Sequence, residues 1–323
     1  MDTFGNRFRI TLFGESHGPA VGVVMDGVPH GMELSENDFA EDLRRRRPGA
    51  EGTTARREED VPEILSGVYE GHTTGAPLTV IFRNGDTRGR DYERFREQPR
   101  PSHADFAARV KFGGYNDLRG GGQFSGRLTV ALVAAGVVAK KILGGGISVA
   151  GTIVEVGGCA DATRWDDLVR EAKEAGDSFG GIVECTAEGV PVGWGEPFFD
   201  SVESVASHLL FSVPGVKGVE FGSGFAGAAL RGSQNNDPIT DAGGHTATNN
   251  AGGVNGGITN GNPVTVRIAV KPTPSISAVQ HTFDFASNRI EPLSVTGRHD
   301  ACIVLRMPVI IEACMAIALA QFV

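Results

Sequence analysis

The chain has 323 residues, 40% of them apolar and 21% charged, which is enough for a full hydrophobic core and excludes a disordered polypeptide. Thirty Lys and Arg against 39 Asp and Glu leave a net charge of −9, which argues against a general nucleic-acid or membrane-surface binder.

In chain order, residues 1–9 are polar and lack the apolar stretch of a secretory leader. Arg7–Phe13 alternates Phe8, Ile10 and Leu12 and predicts a strand, and Ala20–Met25 predicts another. Between them lies the glycine-bounded turn Gly14-Glu15-Ser16-His17-Gly18, where His17 is a candidate proton donor or acceptor. Adjacent side chains seldom face each other, so Ser16 is not expected to be a nucleophile activated by His17. Ser35 predicts the cap of a helix reaching about Arg46, with Phe39 and Leu43 on one face. Arg44–Arg47 either complement the end of that helix or belong to an anion site. Pro77–Phe82 reads as a strand. Arg100-Pro101-Ser102-His103-Ala104-Asp105 then places a second His beside Arg and Asp.

Arg119-Gly120-Gly121-Gly122-Gln123-Phe124-Ser125-Gly126-Arg127 leads into an apolar helix that reaches Leu143 and stops at Gly144. Glycine-rich backbone entering a helix N-terminus suits an anion; a plain flexible loop is the alternative. The longest apolar run, Leu128–Ala139, is too short to cross a bilayer.

Ile147–Val156, Gly181–Thr186, Val216–Phe221 and Pro263–Val270 read as strands, and Thr163–Ala175, Ser201–Phe211 and Pro308–Gln321 as helices. Gly222-x-Gly224-x-x-Gly227 has the letters of a dinucleotide fingerprint. No clear helix is expected after it, so chance explains it in a chain with 46 Gly. Lys271-Pro272-Thr273-Pro274-Ser275 is rigid and polar, with one cation and two hydroxyls. Gly297-Arg298-His299-Asp300 groups Arg, His and Asp before the last helix. His30, His72, His208, His245 and His281 have no such company and read as structural or surface residues. Cys159, Cys185, Cys302 and Cys314 show no metal-ligand spacing and are expected to be free thiols in a reducing cytoplasm. Only six of the 30 cations are Lys. Either forks for carboxylate and phosphate or GC-rich coding accounts for the excess of Arg.

An internal repeat is expected. Gly67-Val68-x-x-Gly71-x-Thr73-x-Gly75-x-Pro77-x-Thr79-Val80 matches the segment from Gly253 to Val266 at eight of fourteen positions. Gly27-Val28-Pro29-x-Gly31 likewise matches Gly189-Val190-Pro191-x-Gly193. Each half later carries a His with a nearby Asp (His103/Asp105, His299/Asp300) and an Arg before an apolar helix (Arg127, Arg306). The boundary falls near Gly144–Gly146. The expectation is a single pseudo-symmetric domain over 1–323, with halves 1–143 and 147–323.

Taken together, the segments at 14–18 (GESHG), 26–29 (DGVP), 44–49 (RRRRPG), 102–105 (SHAD), 119–122 (RGGG), 229–237 (ALRGSQNND), 249–261 (NNAGGVNGGITNG), 271–275 (KPTPS) and 297–300 (GRHD) resemble the chorismate synthase family, in its order and over nearly the whole chain. The resemblance implies an α+β fold, a β-α-β sandwich, assembled as a cytoplasmic homotetramer. It implies a lyase of the shikimate pathway of aromatic amino-acid biosynthesis, converting 5-enolpyruvylshikimate 3-phosphate to chorismate and phosphate with reduced FMN and no net redox change. By the same resemblance Ser16 and His17 meet the substrate, His17 protonates the departing phosphate, His103 serves the reduced flavin, and Asp300 assists loss of the C6 proton. Arg46, Arg100, Arg127 and Arg298 match the family's anion-binding arginines. Gln123, Phe124, Ser125, Gly215, Gly256 and Lys271 to Ser275 (Lys271, Pro272, Thr273, Pro274, Ser275) match flavin-contacting positions, with Arg298 shared.

The chain departs from the family pattern at Gln123, Phe124 and Leu128, where Arg, Ser and Glu are common. It also departs at Glu51-Gly52, where an Arg is common, at Pro214-Gly215, and in a short C-terminus. No nicotinamide site is legible, so the expectation is a monofunctional enzyme without NADPH-driven flavin reduction, fed reduced flavin by an external source. Two competing readings are a flavin-binding protein without turnover, for which Gln123-Phe124 is the sole support, and a flavin-independent phosphatase using the two histidines.

Overall fold

The computed structural model describes residues 2–49, 52–53, 58–86, 89–297 and 299–323. Two antiparallel sheets enclose a layer of helices. The first sheet holds β1 (Thr3–Phe4), β2 (Arg9–Gly14), β3 (Ala20–Asp26), β4 (Glu63–Ser66) and β5 (Leu78–Arg83), in the order β1-β2-β3-β5-β4. The second holds β6 (Ser148–Val156), β7 (Gly181–Glu188), β8 (Val216–Phe221) and β9 (Val264–Val270), in the order β8-β9-β7-β6. Period-two patterning explains which face is buried. In β9, Val264, Val266, Ile268 and Val270 turn inward, while Arg267 on the outer face pairs with Glu220 of β8 at 2.8 Å.

The helices are α1 (Ala40–Arg46), α2 (Asp105–Lys111), α3 (Thr129–Leu143), α4 (Trp165–Glu174), α5 (Val202–Leu210) and α6 (Met307–Leu319). Helices α3 and α6 pack against each other between the sheets. Both are apolar around most of their circumference because both faces are covered. Their contact depends on Gly136: a Cβ there would stand 2.3 Å from the Ala313 Cβ. The buried carboxylate of Glu312 ties the layers together. It accepts from Arg45 at 2.5 Å, from Lys140 at 3.2 Å and from the Gly151 N–H at 2.9 Å.

The expected strands and helices lie within two or three residues of the observed ones. The helix expected from Ser35 begins as a 3-10 turn, Glu36–Phe39, before α1, and the Ser35 N–H donates to Asp38 at 2.7 Å. Unforeseen were β1, β4, α2, the 3-10 segment Gly89–Arg96, and the hairpin Gln280–Asp284/Arg289–Leu293. After β8 the Gly222–Gly227 segment forms a 3-10 turn, Gly224–Ala229, rather than a helix presenting its N-terminus. One continuous hydrophobic cluster runs through both halves.

Numbered within its half, each sheet places four strands in the order 1-2-4-3: β2-β3-β5-β4 and β6-β7-β9-β8. Each half also carries a short hairpin before its last strand, at 68–73 and 254–259. The Thr73 hydroxyl donates to Pro29 O at 2.6 Å, and the Thr259 hydroxyl donates to Pro191 O at 2.6 Å. The backbone N–H of Met32 donates to Thr73 Oγ1, and that of Trp194 to Thr259 Oγ1. The same two threonine bonds thus occur in each of the two segments.

Candidate active site

A cavity of about 680 Å³ opens where the N-terminal ends of α3 and α6 come together, with Arg127, Thr129, Arg306 and Met307 on its wall. Two helix N-termini directed at one cavity favour negative charge there. Among the described lining residues are six cations (Arg46, Arg100, Arg127, Lys217, Lys271, Arg306) and three carboxylates (Glu58, Asp60, Asp300). The cavity is cationic in an acidic protein.

The two histidines of the sequence analysis meet across the glycine triplet. Gly120, Gly121 and Gly122 take φ of 59°, 83° and 54°, a run suited to glycine. A Cβ on Gly120 would lie 2.0 Å from His17 Nδ1 and 2.7 Å from Ser16 Oγ. A Cβ on Gly121 would lie 3.5 Å from His103 Nε2. The Ser16 N–H donates to Gly122 O at 3.1 Å, so the turn after β2 is fastened to the triplet.

His103 is oriented by Asp105, whose Oδ1 lies 2.7 Å from Nδ1. The shortness of that contact places the proton on Nδ1 and leaves Nε2 toward the cavity. Asp105 also takes a two-pronged bond from Arg100, at 2.8 and 2.9 Å. Burial opposes the Asp105 charge, but the bonds from Arg100 and His103 hold it well below the usual carboxylate range. Burial keeps His103 below the ordinary imidazole range against the pull of Asp105, and the charges of Arg100 and Lys271 add to the depression. Ser102, in the left-handed region at φ +57°, turns the chain so that His103 faces inward.

Arg46, Arg100 and Arg127 are buried, Arg306 is half-buried, and all four are largely committed to protein groups. Arg46 donates to Thr129 Oγ1 at 3.0 Å, to Asp60 at 3.0 Å, and to the carbonyls of Gly126 and Arg127. Arg127 pairs with the other Asp60 oxygen and donates to Asn84 at 3.0 Å. Arg100 additionally donates to Ser275 Oγ at 3.0 Å and stacks over Phe95. Arg306 lies 3.4 Å from Asp300 and donates to Arg46 O. Burial, then the Arg306 charge, pulls Arg46 below the ordinary guanidinium range; Asp60 opposes them.

Of the expected site residues, His17, His103, Asp300, Arg46, Arg100 and Arg127 line this cavity. So do Gln123, Phe124, Ser125, Gly215, Lys271, Thr273, Pro274 and Ser275. Ser16 is fully buried behind His17. Two expected positions lie off this wall. Gly256 sits at the exposed tip of the 254–259 hairpin and does not line the cavity, because that hairpin packs on the Gly189–Gly193 turn. Pro272 faces solvent while its neighbours turn inward. Arg298, Glu51 and Arg56–Arg57 lie outside the described residues. Outside the cavity, Arg44 pairs with Glu41, Arg83 with Glu63 and Arg119 with Asp117, so part of the arginine content serves the surface.

Sequence reasoning missed Asp60, Glu58, Tyr92, Lys217 and Arg306 as cavity residues, and had grouped His299 with its neighbours without a role. Asp60 lay hidden in an acidic run, and its φ of +48° and its bridge between Arg46 and Arg127 exist only in three dimensions. Burial pulls His299 down to about 4, Arg100 adds to this, and Asp300 opposes it. Gly52 has a packing reason. Its carbonyl accepts the Ala301 N–H at 2.7 Å beside Asp300, and a Cβ would stand 2.0 Å from Val169 Cγ1. Among the described residues no cluster suited to a metal ion occurs, and no helix is long and apolar enough to cross a membrane.

A family profile described as chorismate synthase matches residues 8–323. A chorismate synthase of Chitinophaga pinensis is 59% identical over 322 residues, covering 100% of this chain and 96% of that protein. One from Korarchaeum cryptofilum is 46% identical over 350 residues, covering 100% and 97%. A solved structure titled "Crystal Structure of Chorismate Synthase" superposes with a TM-score of 0.75 at 28% identity, covering 98% of this chain and 92% of the other.

Proposed function

The chain belongs to the chorismate synthase family, and from that premise we propose that it converts 5-enolpyruvylshikimate 3-phosphate to chorismate and phosphate with reduced FMN held in the 680 Å³ cavity. The observation that carries this reading is the convergence on one cationic cavity of His17, His103, Lys271 and Asp300, from four separate segments.

The cavity suits a flavin phosphate and a phosphorylated dicarboxylate. Its walls carry a cationic excess, and the Thr273 hydroxyl is buried with no hydrogen-bond partner among the described residues. Gln123 to Ser125, Gly215 and the 271–275 segment would hold the flavin. When bound, reduced FMN supplies an electron that is lent to the substrate and returned, so that no net redox change results.

The remaining work falls to side chains of this chain. His17 delivers a proton to the phosphate as it departs. His103, fixed by Asp105 with Nε2 inward, accepts or returns a proton at the flavin side, and an anionic ligand raises its pKa toward neutrality. Asp300, steadied by Arg306, assists removal of the substrate proton. Asp60 keeps Arg46 and Arg127 fixed, so their field acts on the ligand without rearrangement.

The reading extends to a monofunctional, cytoplasmic enzyme that takes reduced flavin from an external source. The matched strand orders and threonine bonds support descent of a single domain from a duplicated half. The largely exposed Phe198, Phe199 and Phe225 support burial in a homotetramer. The test is chorismate formation without oxygen, from 5-enolpyruvylshikimate 3-phosphate and chemically reduced FMN. Flavin-dependent product is expected, and NADPH in place of the chemical reductant should give none. Flavin binding without product would return the protein to the binding-only reading and point to Gln123-Phe124.

A further inference from the structure

Two lysines stand where β8 and β9 meet the cavity. The register of this strand pair slips between Val216 and Gly218. Val216 faces Val270 and Gly218 faces Ala269, so Lys217 is the additional residue of a β-bulge. Bulges re-aim side chains and gather beside active sites, and the bulged residue here lines the cavity. Lys271, one residue beyond β9, lines it too. Its backbone N–H donates to Gly215 O at 2.9 Å, which locks the two lysine-bearing segments together, and its ammonium donates to Ser102 O at 2.5 Å.

The other described cations of the wall each lie against a carboxylate: Arg46 and Arg127 share Asp60, Arg100 meets Asp105, and Arg306 meets Asp300. Among the described residues neither lysine is paired with a carboxylate. This pair is therefore the part of the described cationic wall that faces no carboxylate. Burial lowers the Lys271 pKa, and the Lys217 charge lowers it further, a cost that an intervening dianion would relieve. Two residues along, the unpartnered Thr273 hydroxyl adds a neutral donor on the same wall.

We propose that Lys217 is a binding residue for a phosphate monoester, forming with Lys271 a clamp at the end of the β8–β9 pair. The inference deepens the functional reading above and rests on it, since FMN and the substrate each bring one such group. The test is equilibrium titration of wild type, Lys217→Ala and Lys217→Arg. Three ligands are compared: FMN, riboflavin as its phosphate-free counterpart, and 5-enolpyruvylshikimate 3-phosphate. Lys217→Ala should weaken one phosphate ligand roughly 10- to 100-fold, leave riboflavin unchanged, and be largely rescued by Lys217→Arg. Loss confined to FMN assigns the clamp to the flavin phosphate, and loss confined to the substrate assigns it to the substrate phosphate. Unchanged affinity for both, or an equal loss for FMN and riboflavin, overturns the proposal. If wild type bound none of the three, the functional reading would fail separately. Inorganic phosphate would then decide the clamp: thermal protection that Lys217→Ala abolishes supports it, and no protection overturns it.

Discussion

His103 and Asp105 illustrate how much of this site rests on second partners. The imidazole reaches the cavity with its reactive nitrogen selected by a carboxylate that is itself held by Arg100. His17→Ala and His103→Ala should fold normally and turn over roughly 10²- to 10⁴-fold more slowly, the usual loss when a positioned acid or base is removed. Normal turnover in both would remove the assigned proton chemistry. Asp105→Asn should shift the His103 limb of the pH–rate profile downward, because the carboxylate raises that pKa. His299 gives a stability prediction. Its folded pKa of about 4 lies below the unfolded value, so the unfolded chain binds the proton first as pH falls. Stability should drop as pH falls from about 6.5 to about 4, by up to about 3 kcal/mol. In His299→Gln the dependence of the unfolding midpoint on pH over that range should flatten; an unaltered slope would mean other groups carry it.

At the scale of elements, the α3–α6 contact decides whether the site's two halves stay together. Gly136→Ala adds helix propensity worth about 1 kcal/mol. It also drives a Cβ to 2.3 Å from the Ala313 Cβ and 2.5 Å from its Cα, atoms that cannot rotate away. The clash should win by about 1–3 kcal/mol and lower the urea midpoint. Glu312→Ala should cost about 1–3 kcal/mol, by leaving the Gly151 N–H without its acceptor and leaving Arg45 and Lys140 with Asp42 alone. The cost stays modest because both cations reach solvent. A raised midpoint in either variant would show that the helix layer does not depend on these contacts.

Across the whole molecule, charge is segregated. The chain carries −9, yet its cavity gathers six cations among the described residues and two helix N-termini. The KM for an anionic substrate should therefore rise with ionic strength while kcat changes little. A salt-independent KM would mean the cavity field does not guide binding. Arg127 and Arg306 stand just before α3 and α6, and each meets its own carboxylate, Asp60 or Asp300.

Much of this was legible before the fold. Hydrophobic period two and period 3.6 are local properties, so β9, α3 and α6 could be read from the order of their residues, as could the repeat. His17, His103, Asp300 and the glycine triplet stood in segments whose family resemblance is carried by contiguous letters. Proximity was not legible. That Asp60 joins Arg46 to Arg127, that Gly120 and Gly121 lie between two histidines, and that a bulge brings Lys217 to the cavity wall depend on chain segments far apart in sequence. Tertiary packing also decided that Gly256 and Pro272 stay off the wall, since a position within a motif does not determine which way its backbone faces. Local pattern specifies elements because a few neighbouring residues determine it; a site is made by long-range contacts, and only the packed core brings those together.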